Sequence, residues 1–147
     1  MLNRKVFECI VKNAPLISID FFIKKENKYL LGKRINKPAK DYYFTIGGRI
    51  YKNELIENAK KRILKEEIGY ELEYEKLKFL GVFEHFYTDS IFGDDISTHY
   101  INLVYELQVN NLKEILKTQH SEYIWLTQEE IIVRDDVHKY VKKYFET

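Results

Sequence analysis

The sequence has little cysteine, little proline and almost no net charge. Its 147 residues include one cysteine and two prolines, and 24 lysines and arginines balance 23 aspartates and glutamates. The lone cysteine, Cys9, can form neither an internal disulfide nor a cysteine-based zinc site, which suits a reducing compartment. We expect Cys9 to be buried as a small apolar side chain. The balanced charge gives no reason to expect nucleic acid or an anionic membrane as a partner.

Long hydrophobic runs and a secretion signal are also missing. The longest apolar run, 16–23, is interrupted at Ser18 and Asp20 and is far shorter than the roughly 18 residues that span a bilayer. The first residues lead to a charge at Glu8 rather than to an apolar segment, so no signal peptide is predicted. A composition that is 45% hydrophobic and 32% charged is typical of a folded chain. We therefore expect one domain, 1–147, in the cytoplasm.

Hydrophobic periodicity predicts an α+β chain in which strands dominate. Runs rich in aromatic and β-branched residues predict strands at 16–24, 29–33, 42–46, 77–88, 97–109 and 123–126. Apolar residues at helical spacing predict helices at 2–11, 53–68, from 128 onward and at 136–145. Gly47 and Gly48 should break the third strand, Gly69 should end the central helix, and Thr127 should cap the helix that follows it.

The segment 48–70 carries most of the chemical information. Two glycines end a predicted strand, and a loop then leads into a helix that bears Arg62, Glu66 and Glu67 and stops at Gly69. Glycines let a backbone carbonyl approach a ligand closely. Carboxylates along one helix can hold a hard divalent cation against a diphosphate. Taken one residue at a time, the same charges also fit a solvated helix face with an Arg–Glu ion pair.

In order and spacing, this segment resembles the Nudix box. The matching residues are Gly48, Glu54, Arg62, Leu64, Glu66, Glu67 and Gly69. The chain departs from the box at Ile63, where the pattern has a glutamate that normally binds metal beside Glu67. Its absence removes a charge from the metal site, so we expect fewer cations to bind. An inactive relative would show the same departure.

The rest of the chain, from about Pro15 to Phe145, resembles the GDP-mannose mannosyl hydrolase branch of the Nudix superfamily. The segments that carry this resemblance are 15–20, 29–39, 47–49, 84–87, 97–100, 119–120, 123–127 and 136–138. That branch also lacks a glutamate at the position of Ile63, but it differs at Glu66 and often has proline at the position of Ile46. The resemblance implies the Nudix fold, a mixed β-sheet sandwiched between helices. It also implies a homodimer in which the N-terminal helix, 1–13, contacts the neighbouring subunit.

The resemblance further implies one Mg²⁺ per subunit, with Mn²⁺ as an alternative. Its protein ligands would be the carbonyl of Gly47, the carboxylate of Glu67 and the side-chain oxygen of Gln119, with Glu66 as a further candidate. An all-oxygen ligand shell is what Mg²⁺ requires. For Glu67 the alternative is an exposed helix acid, and for Gln119 it is a loop amide.

Four residues are candidates for the catalytic groups. An imidazole that titrates near neutral pH suits proton abstraction from water, and His120 directly follows the proposed ligand Gln119. Arg34, Arg49 and Arg62 could neutralise a diphosphate leaving group, because guanidinium groups bind phosphate oxygens bidentately. Arg62 could also orient the glutamates. For His120 the alternative is a solvated loop histidine, and for the arginines it is ordinary surface charge.

Three residues are candidates for substrate contacts. Asp20 interrupts an apolar strand, where a carboxylate needs a partner or a function. His85 alternates with aromatic residues along one strand, so it could line an aromatic pocket or be a core histidine. Tyr100 could add a hydroxyl to the phosphate site, with Arg34 and Arg49, or it could be a core or surface tyrosine. We expect His99 to be structural, and we place His138 in a surface helix without a role.

Together with these residues, the resemblance implies a Mg²⁺-dependent hydrolase that converts GDP-mannose, and as a second candidate GDP-glucose, to GDP and free sugar. Water would attack the anomeric carbon with inversion through an oxocarbenium-like transition state. Three alternatives stay open, of which a purely structural partner-binding protein is the least favoured. One is a Nudix diphosphatase that cuts a nucleotide sugar to a nucleoside monophosphate and a sugar 1-phosphate, favoured by Glu66. Another is a non-catalytic nucleotide-sugar-binding module, suggested by Ile63.

Overall fold

The computed structural model describes residues 2–73, 77–110 and 120–146. The α-helices are α1 (Arg4–Asn13), α2 (Ile56–Ile68), α3 (Gln128–Val133) and α4 (Lys139–Lys143), and a 3₁₀ turn follows at Tyr144–Glu146. The strands are β1 (Leu16–Lys25), β2 (Lys28–Arg34), β3 (Tyr43–Phe44), β4 (Ile46–Arg49), β5 (Lys78–Tyr87), β6 (Thr98–Gln108) and β7 (His120–Thr127). In these described ranges, no helix is long and apolar enough to cross a membrane.

The strands form one mixed sheet. Five of them lie in the order β3-β2-β1-β6-β5, while β4 pairs with β1 and β7 pairs with β2. The pairing of β1 with β6 is parallel, and the other strand pairs are antiparallel. Strand β1 is therefore central, and its side chains are buried on both faces over most of its length.

Each face of the sheet is covered by helices, as the fold prediction requires. On one face, Ile19, Phe21 and Ile23 of β1 pack with apolar residues of α2. On the other face, Phe22 packs with residues of α3, α4 and the C-terminal turn, including Tyr144. This alternation follows from the two-residue period of a strand. The predicted α+β architecture, with a mixed sheet between helices, is confirmed.

The glycine pair does not break the sheet. Gly47 and Gly48 lie inside β4, where they pair with Asp20 and Ile19 of β1. A Cβ at Gly47 would collide with Asp20 Oδ1 and would lie 2.7 Å from the carbonyl oxygen of Ile19. Glycine is needed there because β4 approaches β1 too closely for a side chain. The sequence alone could not predict this close approach.

Helix ends agree with several sequence signals. Gly69 follows α2 in the left-handed conformation, with φ of 71°, and its backbone N–H bonds to the carbonyls of Leu64 and Lys65. Thr127 caps α3 through a reciprocal capping box with Glu130. The helix predicted at 53–68 begins later, at Ile56, because Glu54 accepts a hydrogen bond from the Tyr51 N–H in the preceding turn.

Two minor predictions are wrong. Cys9 is exposed rather than buried, because it lies on a face of α1 that the rest of the described chain does not cover. His138 is buried rather than on a surface helix: it is the N-cap of α4, and its Nδ1 accepts a hydrogen bond from the Tyr140 N–H at 3.2 Å.

Candidate active site

A cavity of about 370 Å³ brings together residues that are far apart in the sequence. The predicted site residues in its wall are Asp20, Arg34, Gly47, Arg49, Arg62, Glu66, Glu67, His85 and Tyr100. Gln119 lies outside the described residues, and so does the side chain of His120. The backbone of His120 is described: it begins β7 and pairs with Arg34 in the neighbouring strand.

The glycine pair and two glutamates supply the oxygen-rich part of the cavity. Glu67 is 6% exposed, whereas the side chain of Glu66 is 56% exposed. Burial, together with the negative charge of the nearby Glu67, raises the pKa of Tyr123 to about 12. Among the described residues, no three His, Cys, Asp or Glu side chains form a metal site by themselves. One or two carboxylates with carbonyl, water and phosphate oxygens nevertheless suit Mg²⁺, so the donors present fit this ion.

Ile63 occupies the place of the missing glutamate and faces the glycine strand. It is 1% exposed and belongs to the apolar cluster under α2. A Cβ at Gly48 would lie 3.1 Å from Ile63 Cγ1, so the two residues are in close contact. The cavity wall at this point is therefore aliphatic, and it cannot supply a carboxylate to a cation.

Arg62 joins α2 to the glycine strand and to the preceding loop. Its Nε and Nη2 donate to both carboxylate oxygens of Glu54 at 2.7 and 3.0 Å, and Nη1 donates to Glu66 at 3.0 Å. Nη2 also donates to the carbonyl oxygen of Arg49 at 2.7 Å, and the guanidinium lies 3.8 Å from the ring centroid of Tyr51. Mutual stabilisation lowers the pKa of Glu54 and raises the pKa of Arg62. These four hydrogen bonds use most of the N–H donors of Arg62 and tie its guanidinium to Glu54, Glu66 and the Arg49 backbone.

Arg34 and Arg49 have fewer protein partners. Arg34 Nε donates to the carbonyl oxygen of Pro38 at 2.8 Å. The guanidinium of Arg49 lies 4.7 Å from the ring centroid of Phe7 and 5.2 Å from that of Tyr51. Aromatic faces hold a guanidinium in place without consuming its N–H donors. Within the described part of the chain, both arginines therefore retain donors for a phosphate oxygen.

Asp20 lies in a buried polar network on the sheet face opposite α2. Its Oδ2 accepts hydrogen bonds from the Tyr144 hydroxyl at 2.8 Å and from Asn102 Nδ2 at 3.0 Å, and Asn102 Nδ2 also donates to Ser18 Oγ at 2.6 Å. Burial raises the pKa of Asp20 to about 6, although these hydrogen bonds and the charge of Arg34 oppose the rise. A buried carboxylate with this support can accept a hydrogen bond from a ligand hydroxyl.

His85 is neutral in this setting. It is 2% exposed and stacks on Tyr140 with 4.3 Å between ring centroids. Burial, followed by the positive charges of His138 and Lys143, lowers the pKa of His85 to about 3. Its Nε2 lies 3.0 Å from the Tyr144 hydroxyl and its Nδ1 lies 3.3 Å from the Tyr87 hydroxyl. His99 does not join this group: it stacks on Phe86 with centroids 4.4 Å apart, in keeping with a structural residue.

Sequence reasoning missed two polar residues around Asp20 and His85, namely Asn102 and Tyr144. Asn102 follows Tyr100 by two residues on β6, so strand alternation could have placed it on the same face. Tyr87, which follows His85 by two residues on β5, is one of the aromatic residues that the alternation with His85 did predict. Tyr144 had no such signal, because it lies 124 positions from Asp20 and meets it only after the C-terminal turn folds onto the sheet.

Comparison with known proteins gives a family and two relatives. Residues 15–147 match the model of a family described as the NUDIX domain. The low-salt glycan biosynthesis protein Agl8 of Haloferax volcanii is 36% identical over 141 residues, which are 95% of this chain and 86% of that protein. An ADP-ribose pyrophosphatase of Methanocaldococcus jannaschii is 36% identical over 95 residues, which are 65% of this chain and 52% of that protein.

Solved structures show the same architecture. A MutT NUDIX hydrolase from Burkholderia pseudomallei superposes with a TM-score of 0.73 at 21% identity, over 91% of this chain and 98% of that one. At this level of identity, the likeness concerns the fold alone.

Proposed function

Since the chain belongs to the Nudix hydrolase family, we propose that it hydrolyses a nucleotide sugar at the sugar carbon rather than at phosphorus. The proposed reaction converts GDP-mannose, and as a second candidate GDP-glucose, to GDP and free sugar with inversion. The observation that carries the proposal is Ile63, which replaces a box glutamate by a buried aliphatic side chain against Gly48. A diphosphatase would be expected to use that carboxylate to gather metal charge around the phosphorus under attack.

The leaving group is stabilised by charge in this proposal. Arg34 and Arg49 line the cavity with donors that no described residue engages, and such donors suit the oxygens of a departing diphosphate. Arg62 acts as a positioning residue that holds Glu66 and the Arg49 backbone. Tyr100, on the same cavity wall, adds a hydroxyl near these arginines.

Members of this family generally use divalent cations, and the donor set fits Mg²⁺ or Mn²⁺. We propose that Gly47, Glu67 and Gln119 hold one such ion, with Glu66 as an additional ligand. When bound, the cation supplies Lewis-acid neutralisation of the diphosphate. The protein then needs no general acid for the nucleotide, because GDP leaves as an anion.

We propose His120 as the general base. It removes one proton from water, whose oxygen forms a bond to the anomeric carbon while the bond from that carbon to the phosphate oxygen breaks. The bonding electron pair leaves with GDP, and the proton remains on the imidazole. The register that pairs the His120 backbone with Arg34 supports a base close to the phosphate-binding wall.

The sugar is assigned to the part of the cavity around Asp20 and His85. Asp20 offers a supported carboxylate, and Tyr87 and Tyr100 give this part of the cavity wall aromatic surface. Rings of this kind and a fixed acceptor suit a sugar. The relative named for glycan biosynthesis also supports a substrate that contains a sugar.

Hydrolysis in ¹⁸O-labelled water tests the proposal directly. We expect the label in free mannose, with GDP unlabelled, when products are analysed by mass spectrometry and phosphorus NMR. Label in a nucleoside monophosphate or a sugar 1-phosphate would overturn it. His120→Gln should lower kcat by about 10²–10⁴, the usual range for loss of a general base. An unchanged kcat would remove His120 from the mechanism.

The second candidate is cleavage of the diphosphate. Glu66, which the box retains, and the similarity to an ADP-ribose pyrophosphatase favour it. The same isotope experiment distinguishes the two reactions. The third hypothesis is a non-catalytic nucleotide-sugar-binding module. In that case the protein should bind a nucleotide sugar without turnover, and binding should not respond to Mg²⁺.

We also propose a homodimer that uses the N-terminal helix. Leu2 is 42% exposed and Val6 on α1 is 43% exposed, so this apolar surface is available to a second copy. Light scattering should give twice the chain mass, and Val6→Glu should shift the protein toward the monomer. A wild-type monomer at micromolar concentration would contradict the proposal.

A further inference from the structure

A continuous chain of hydrogen bonds runs through the buried side of the cavity. It connects Tyr87, His85, Tyr144 and Asp20 in that order, and the contacts between them are 3.3, 3.0 and 2.8 Å. Tyr144 is 1% exposed, His85 is 2% exposed and Asp20 is 6% exposed. Water therefore has little access to these three side chains, and each proton between them must be assigned to one partner.

Two donors at one end determine the direction of the chain. Asn102 Nδ2 and the Tyr144 hydroxyl both point at Asp20 Oδ2, which is the arrangement expected of an ionised carboxylate, since that group only accepts. A phenol hydroxyl has one proton. Because Tyr144 donates that proton to Asp20, its oxygen must accept from His85.

The assignment then extends to the imidazole. His85 must carry its proton on Nε2 in order to donate to Tyr144. A neutral imidazole with a protonated Nε2 has an acceptor at Nδ1, and the Tyr87 hydroxyl lies there to donate. Tyr144, His85 and Tyr87 are thereby fixed in position, and the donor and acceptor of each hydrogen bond between them are also fixed.

We infer that Tyr144 is a positioning residue for the sugar end of the site: its hydroxyl fixes Asp20 as a hydrogen-bond acceptor and His85 as the neutral Nε2–H tautomer. This inference rests on the proposed function in assigning the sugar to Asp20 and His85. Tyr144 itself acts from behind these two residues. It holds Oδ2 so that the carboxylate cannot rotate, and a sugar hydroxyl that donates to Asp20 meets a group already oriented.

Tyr140 provides a matched control. Its ring stacks on His85, but its hydroxyl bonds to the backbone of Phe86, donating to the carbonyl oxygen at 3.0 Å and accepting from the N–H at 3.1 Å. Tyr140→Phe removes a phenol oxygen from the neighbour of His85 and leaves the bonds to Asp20 intact. It should lower stability without changing the polarity of the chain.

The first experiment reads the tautomer by ¹⁵N NMR of the imidazole nitrogens in the full-length protein near pH 7.5. The wild type should show His85 as Nε2–H, and Tyr140→Phe should preserve this signature. Tyr144→Phe removes the acceptor for Nε2–H and should shift His85 away from that single tautomer. A wild-type Nδ1–H tautomer, or a signature unchanged in Tyr144→Phe, overturns the inference. A wild-type Nδ1–H tautomer overturns the inference whether or not the Tyr144→Phe variant folds.

The second experiment separates sugar from nucleotide by calorimetry with Mg²⁺, in a His120→Gln background that slows turnover. Tyr144→Phe should weaken GDP-mannose binding by about tenfold, the scale of a lost hydrogen bond to a charged group, and should leave GDP binding unchanged. Tyr140→Phe should change neither. An equal loss for GDP and GDP-mannose would indicate general disruption and overturn the inference, as would no loss at all.

The failure of the proposed function would look different. Label in the phosphate of the product would overturn attack at carbon and leave the tautomer and the affinity difference as they are. Absence of GDP-mannose binding by the His120→Gln parent would overturn the substrate assignment. The tautomer, measured on the protein alone, would then still decide the polarity of the chain.

Discussion

Gly48 packs tightly against Ile63: a Cβ on Gly48 would lie 3.1 Å from Ile63 Cγ1 and 3.3 Å from Ile63 Cγ2. The missing carboxylate and the glycine strand are thus directly packed against each other. Ile63 both removes a charge from the cavity and fills the space under β4 with apolar surface. The departure from the Nudix box therefore changes the electrostatics of the site without loosening the contact between α2 and the sheet.

Alanine at the two glycines should have unequal effects on stability. At Gly48 the obstacle is a side chain that can shift, so Gly48→Ala should cost about 1–3 kcal/mol, the range for overpacking. At Gly47 the obstacles are Asp20 Oδ1 and a backbone carbonyl, so Gly47→Ala should cost more. Urea unfolding of both variants measures the difference. An equal loss would mean that β4 can move away from β1.

Restoring the box glutamate should make stability depend on metal. Ile63→Glu places a carboxylate at a site that is 1% exposed, so without metal it should lower the free energy of unfolding by about 1–3 kcal/mol or more. Mg²⁺ should recover part of this loss, because a cation bound to the native state stabilises it.

Ile63→Gln is the matched control for that experiment. It has nearly the same size and polarity but no charge. Urea unfolding with and without Mg²⁺ should show recovery for Ile63→Glu only. Equal recovery in both variants would place the cation away from residue 63.

The two neighbouring glutamates should differ in their effect on metal binding. Glu67 is buried at the cavity, and Glu66 is mainly exposed and paired with Arg62. Glu67→Gln should weaken Mg²⁺ binding by at least the roughly 10–100-fold that changes near a metal site cause. Glu66→Gln should have a smaller effect. Calorimetric titration with Mg²⁺ and GDP checks the ranking, and a larger effect at Glu66 would reverse the assignment.

His85 should make the protein sensitive to acid. Its folded-state pKa is about 3, whereas an unfolded histidine titrates near 6.5. The unfolded state therefore binds an extra proton between these values, and stability that is complete above pH 6.5 is lost as the pH falls toward 3. At pH 4.5 the loss from this residue should be about 2–3 kcal/mol. His138, whose pKa is lowered to about 4 mainly by burial, acts in the same direction.

Urea unfolding of His85→Gln from pH 4.5 to 7.5 should show a flatter pH dependence than the wild type. Asp20→Asn gives the control of opposite sign. Because the pKa of Asp20 is raised to about 6, this residue costs stability as the pH rises from about 4 to 6, and its removal should steepen the profile. A steeper profile for His85→Gln would show that His85 is charged in the folded state.

Elements with a clear period could be predicted from the sequence. The apolar spacing of 53–68 and the alternation in 16–24 located α2 and β1 to within a few residues. The Gly69 stop and the Thr127 cap needed only local chemistry. The glycine pair was misjudged, since whether glycine ends a strand or permits a close neighbour depends on the strand that packs beside it.

The sequence by itself determined the alternation of helices and strands and the α+β class, because these depend on local spacing. Side-chain chemistry and the resemblance to a known family together supplied the candidate site residues. Only the tertiary structure decided that nine of those residues share one cavity wall. It also decided that Tyr144 stands between Asp20 and His85, and that the donors of Arg62 are engaged by glutamates. These relationships join residues from distant parts of the chain, and contacts of that kind exist only when the sheet and helices pack together.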